Sequence, residues 1–145
     1  FVFGLDGDTP ETFRATLDWI VRNRIETVTS HIMTPYPGTV LYDKLKGEGR
    51  ILTEDLSLYN TANVVFQPKL MTAEELQSGY LWMYRQIYSF RNILRRMPQK
   101  PDQRAAYLMF NLLYRKFGRF SDRLCRLVGF GRIGWLGEKL SRYLR

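Results

Sequence analysis

The sequence predicts an α/β protein whose strands run parallel, continued by an all-helical C-terminal segment. Three observations carry this. Two β-prone runs alternate with two helical stretches over residues 1–49; each strand enters its helix through a turn rich in glycine or proline; and beyond residue 72 the apolar residues recur at helical spacing. Alternation of strand and helix implies parallel pairing, because parallel strands need a crossover segment, most often a helix.

Phe1–Leu5 is the first strand, an apolar run that needs neighbours on both sides to be buried, so the chain reads as part of a longer protein. The turn Asp6-Gly7-Asp8 leads to Thr9 as helix cap, with Pro10 in the first helical position where its missing N–H costs nothing. Phe13, Leu17, Ile20 and Val21 form one stripe of the helix that Asn23 and Arg24 end. A second strand is expected over Glu26–Met33, rich in Thr, Val and Ile. Thr34-Pro35-Tyr36-Pro37-Gly38-Thr39 suits no regular element, and a short helix from Val40 to Lys46 closes the unit.

Residues 50–71 form a connector with a short strand at Val64-Val65-Phe66. Thr72 and Glu75 make a capping box that opens a long helix with the stripe Leu76, Tyr80, Met83, Tyr84 and Ile87, kinked at Ser89 and stopped before Pro98. Residues 72–97 are thus a helical extension and 98–145 a basic helical tail. The tail divides into a helix from Gln103 to Phe117, capped by Asp102 and ended by Gly118, and two shorter helices near 120–128 and 135–144.

Composition narrows the function classes. The net charge of +8 is uneven: residues 1–72 carry 7 Lys/Arg against 9 Asp/Glu, a balance of −2, and residues 73–145 carry 15 against 5, a balance of +10. The single cysteine, Cys125, permits no internal disulfide and cannot by itself hold zinc or an iron–sulfur cluster; it reads as an inert thiol. The expected setting is a reducing cytoplasm. No apolar run approaches the roughly 20 residues that cross a bilayer.

Both strand-to-helix turns lie at carboxyl ends of strands, the edge where parallel folds place their sites. Gly4-Leu5-Asp6-Gly7-Asp8-Thr9 and Pro35-Tyr36-Pro37-Gly38-Thr39, one unit apart, resemble the Gly-Leu-Pro-Gly-Glu-Thr and Pro-x-Pro-Gly-Thr turns of radical S-adenosylmethionine enzymes. Asp6 stands where that family has proline, and Asp8 where it has glutamate. The stretches Gln67–Leu76 and Tyr88–Asn92 resemble the C-terminal extension of the branch that carries a cobalamin-binding domain, so the likeness covers roughly residues 1–97.

The resemblance implies a partial (β/α)6 TIM-like barrel, of which residues 1–49 would be the fifth and sixth β/α units. It implies a 4Fe–4S cluster that reductively cleaves S-adenosylmethionine, held by three cysteines that this chain lacks, so the chain by itself would bind no cluster and be inactive. Backbone near the last strand would contact the adenine, which points to Ile32, Met33 and Thr34. Cobalamin is a further cofactor of the branch. Its substrates include lipid-like and tetrapyrrole molecules, and the reaction would be a methyl transfer or another radical oxidoreduction.

His31, the only histidine, shares a strand face with Thr27, Thr29 and Met33. Two roles are open to it: contact or proton transfer with a substrate, or a satisfied barrel residue without chemistry. In the tail, Arg119, Arg123 and Arg126 oppose Phe120, Leu124, Leu127 and Val128, and Lys139, Arg142 and Arg145 oppose Leu136, Leu140 and Leu144. Such helices suit an anionic membrane surface at the cytoplasmic face, or packing on the rest of the protein. A membrane-surface or protein-docking module without catalytic role is the alternative to the enzyme. No recognised nucleic-acid motif accompanies the basic residues.

Overall fold

The computed structural model describes residues 1–128, with side chains to residue 115. The chain is mixed α/β and mostly helical. Strand β1 (Val2–Phe3) is followed by α1 (Pro10–Arg22), β2 (His31–Ile32), α2 (Val40–Gly47), a 3-10 turn (Leu56–Leu58), α3 (Ala73–Ile87), α4 (Phe90–Arg95) and α5 (Pro101–Val128). β1 and β2 pair in parallel, Val2 opposite His31 and Phe3 opposite Ile32, with α1 as their crossover.

The regular strands are shorter than Phe1–Leu5 and Glu26–Met33. β1 stops where Gly4 turns to φ +94°, and the Asp8 carboxylate accepts the Gly4 and Leu5 N–H groups at 2.9 Å each. Before His31 the inner side of the chain still meets β1, the Phe1 amino group donating to Thr29 C=O at 2.9 Å, while the outward carbonyls meet side chains. The Tyr88 hydroxyl donates to Val28 C=O at 2.8 Å and the Tyr80 hydroxyl to Ser30 C=O at 3.1 Å. One position further on, the Ile32 N–H donates to Thr61 C=O at 2.7 Å. The outer edge of β2 is therefore closed by α3 and one loop residue. The strand expected at Val64–Phe66 reduces to a single antiparallel bridge between Ile51 and Phe66.

The helices follow their sequence signals closely. Thr72 and Glu75 satisfy each other's free N–H groups at the start of α3, and the Ser89 hydroxyl accepts the Asn92 N–H to start α4 where the kink was expected. After β2, α3 lies against the sheet, and α2 adds Leu45 to the same core. α3 packs along α1, and Phe3, Phe13, Ile20, Ile32, Leu76 and Met83 share one core between the two helices and one sheet face. Gly79 permits this approach, since a Cβ there would overlap the Phe13 ring.

One expectation for the tail is corrected. α5 is continuous from Pro101 to Val128, so Gly118 does not end a helix and no separate helix begins at 120. A glycine inside a helix costs about 1 kcal/mol relative to alanine, but terminates it only where the backbone turns left-handed. The expected helix at 135–144 and the tail arginines' side chains lie outside the described residues.

Arg96 ties these helices together. It is fully buried, and among the described residues it has no carboxylate partner. Its guanidinium donates to Ile25 C=O (2.7 Å), Ile87 C=O (2.8 Å), Asn92 C=O (3.3 Å) and Asn111 Oδ1 (3.2 Å). These carbonyls lie at or just past the C-terminal ends of α1, α3 and α4, where the helix dipoles concentrate negative potential. Burial pulls Arg96 below the ordinary guanidinium value.

Candidate functional site

The two faces of the small sheet differ. Phe3, Val28, Ser30 and Ile32 are buried on the helix side, whereas Val2, Thr29 and His31 are exposed on the other. The exposed face, with the turns leaving β1 and β2, is the candidate site.

The turn after β1 is organised by its two aspartates. Asp8 closes it through the Gly4 and Leu5 amides, while Asp6 faces outward to Lys69 (2.9 Å), Arg50 (3.2 Å) and Lys44 (3.8 Å). The hydrogen bond from Lys69, followed by that from Arg50, holds the Asp6 carboxyl below its ordinary value. Arg50 also pairs with Glu48 at 2.8 Å and donates to Gln67 C=O at 2.7 Å, so the turn is fastened to the segments following α2 and preceding α3. Gly4 allows Phe66 and Leu76 to close over the turn, since a Cβ would lie 3.0 Å from Phe66 and 2.9 Å from Leu76.

The turn after β2 ends at Thr39, whose hydroxyl accepts the Tyr42 N–H to cap α2 and donates to Tyr36 C=O at 2.7 Å. Gly38 within it has φ +82°, a conformation that disfavours any side chain.

The residues singled out from the sequence are separated by their surroundings. Ile32 is buried in the core, its N–H engaged by Thr61 and its C=O by the Thr34 hydroxyl at 3.1 Å. Met33 and Thr34 are half-buried at the carboxyl end of β2. Among the described residues no hydrogen bond engages the Met33 C=O or the Thr34 N–H, the two polar ends of one trans peptide group. His31 is exposed on the open face as its period-2 position predicts, and its Nδ1 lies 3.0 Å from the Thr61 hydroxyl. Thr61 is the partner that sequence reasoning missed. It sits at φ +63°, an unusual backbone for a β-branched residue, and there its carbonyl reaches β2 while its hydroxyl reaches His31. Nothing in the sequence links positions 30 residues apart. Among the described residues no three His, Cys, Asp or Glu side chains are grouped to hold a metal ion.

Residues 39–126 match the family described as a domain of unknown function, DUF4070. The bacteriochlorophyllide d C-12(1)-methyltransferase of Chlorobaculum tepidum is 36% identical over 101 residues, covering 70% of this chain and 22% of the relative. The anaerobic magnesium-protoporphyrin IX monomethyl ester cyclase of Cereibacter sphaeroides is 32% identical over 92 residues, 61% of this chain and 14% of the relative. The hopanoid C-2 methylase of Rhodopseudomonas palustris is 37% identical over 54 residues, 37% of this chain and 10% of the relative. These proteins define a class, the cobalamin-binding radical S-adenosylmethionine enzymes, and the chain matches a part of their C-terminal region. Within that class the chain belongs to the DUF4070 family. It spans about a fifth of the length of the methyltransferases it matches.

Proposed function

We propose that the protein carrying this chain is a radical enzyme that reductively cleaves S-adenosylmethionine and methylates, or otherwise oxidises or cyclises, a small tetrapyrrole or lipid-like molecule. Three relatives are named for a bacteriochlorophyllide, a magnesium porphyrin and a hopanoid, all extended apolar substrates. In this reading β1 and β2 are the last two strands of a partial (β/α)6 barrel, residues 1–49 belong to its fifth and sixth units, and α3 takes the position of the final covering helix. Residues 98–145 carry the basic tail, whose first turns pack on the rest of the chain through Tyr107 and Asn111.

The observation that carries the reading is the parallel β1–α1–β2 unit with one face packed and the other open. A sheet of this kind needs both faces and both edges occupied, and the open face with His31 is where a barrel interior would lie. The 4Fe–4S cluster, when bound, supplies the electron for S-adenosylmethionine cleavage, and cobalamin a methyl-carrying centre. A 4Fe–4S cluster needs three or four thiolates and this chain has one cysteine, so the chain alone is inactive. What the chain contributes is positioning. The backbone at Met33 and Thr34, next to Ile32, contacts the adenine; the Pro35–Thr39 turn fixes its direction; and His31, steadied by Thr61, faces the substrate. The setting is the cytoplasm.

The test is release of 5′-deoxyadenosine from S-adenosylmethionine by the whole protein after anaerobic loading with iron and sulfide and addition of a reductant. Release is expected, and a cluster-loaded protein that forms none refutes the reading. Replacing Pro37 and Gly38 by alanine should weaken S-adenosylmethionine binding about tenfold, because a side chain at a left-handed position costs about 1–2 kcal/mol.

A further inference from the structure

On the helix side of the sheet, away from the open face, a groove of about 350 Å³ runs between α1, α3 and α4. Leu17, Val21 and Trp82 give it apolar lining, and three guanidiniums line it: Arg14 from α1, Arg91 and Arg95 from α4. None of the three takes part in an ion pair among the described residues, and the single carboxylate in the groove, Asp18, is likewise outside those pairs. Three like charges held around one groove with one opposing charge leave an unneutralised balance of +2. Arginine forks are matched to phosphate oxygens, with which they form paired charge-assisted hydrogen bonds.

The surroundings specify the kind of phosphate. On α4 itself Phe90 and Leu94 project into solvent, 57% and 61% exposed, immediately beside Arg91 and Arg95. On α5, Tyr107 and Asn111 face the core, while Met109 (63% exposed) and Leu113 (46%) face outward, so this helix is apolar on two sides. A soluble phosphate would gain nothing from exposed Phe, Leu and Met beside its site, whereas a phospholipid offers acyl chains for them. A helix surface of arginines bordered by large apolar side chains is the chemistry of an interfacial membrane contact. A second copy is disfavoured as the occupant because each copy carries +10 over residues 73–145.

We propose that this groove binds the phosphate of an anionic phospholipid and that Phe90, Leu94 and the outward face of α5 enter the membrane surface beside it. The inference does not depend on the enzymatic reading. It places the membrane contact on α1, α4 and α5, ahead of the tail arginines.

The test is co-sedimentation of the whole protein with vesicles of phosphatidylglycerol mixed with phosphatidylcholine, and with phosphatidylcholine alone, at low and high salt. Binding to the anionic vesicles only, weakened by salt, is expected. The triple variant Arg14→Gln/Arg91→Gln/Arg95→Gln should lose about a hundredfold in affinity, each basic residue contributing about fivefold at an anionic surface. The corresponding triple lysine variant keeps the charge but loses the paired hydrogen bonds, so it should bind between the unaltered protein and the glutamine variant, and it reports on the groove even if the glutamine variant misfolds by circular dichroism. Arg119→Gln/Arg123→Gln/Arg126→Gln should weaken binding less than the groove variant. Equal loss from groove and tail variants would overturn the proposal. So would unchanged binding by the glutamine variant, or inorganic phosphate bound by the groove in a protein that ignores the vesicles.

Discussion

The two edges of the same two-stranded sheet have opposite fates. Along the outer edge of β2 the successive outward groups are engaged, Val28 and Ser30 by tyrosine hydroxyls of α3 and Ile32 by Thr61. Along the outer edge of β1, Val2 points its N–H and C=O away from β2 and meets no partner among the described residues, and its side chain is 51% exposed. An open edge invites another strand, and a capped edge refuses one. Among the described residues the sheet is therefore closed on the β2 side and open on the β1 side. The proposed partial barrel would need such an asymmetry at its last strand.

The largest effect on this comparison should come from Arg96, which holds the C-terminal end of α3 against the chain entering β2. Arg96→Leu leaves Ile25 C=O, Ile87 C=O and Asn111 Oδ1 without the guanidinium in the interior and should cost the whole protein about 3–5 kcal/mol in denaturant unfolding. Gly79→Ala forces α3 away from Phe13 and should cost about 1–3 kcal/mol by the same measurement. Tyr88→Phe removes one donor from the capped edge. It should cost about 1–2 kcal/mol and speed amide exchange at residues 28–32, leaving Val2 unaffected.

A pH titration sharpens the point without a substitution. Burial pushes Tyr88 up to about 12 from its ordinary 10.0, so the hydroxyl form is favoured in the folded chain. Its contribution is complete below pH 10 and is lost as pH rises through about 12, where tyrosinate absorbance and loss of structure should appear together. Asp6 is the smallest case. Its lowered value means that the contribution of its ion pairs is complete above 3.8 and fades as pH falls through that lowered value. Because Asp6 is exposed, the loss should loosen the turn after β1 without unfolding the protein.

The sequence made the helices legible because their signals are local. Pro10, the Thr72–Glu75 box and Ser89 mark helix starts within a few residues, and the apolar stripes of α1 and α3 are the faces that pack. The parallel relation of β1 and β2 followed from the crossover, and the exposure of His31 from its period-2 position. What was not legible depends on distant partners. Tyr80 reads as an apolar stripe member and Tyr88 as part of the helical extension, although their hydroxyls meet the chain entering β2. Arg96 reads as a twin of the exposed Arg95, and only the convergence of three helix ends shows why it is buried. Gly118 reads as a helix stop, but nothing turns the backbone left-handed there, and α5 continues.

The open edge is tested most directly by a density map of the whole protein at side-chain resolution. The account predicts a strand parallel to β1, hydrogen-bonded to Val2, with Tyr80 and Tyr88 still on the carbonyls of Ser30 and Val28. An antiparallel neighbour at Val2, or a strand paired along the outer edge of β2 in place of the two hydroxyls, would contradict it.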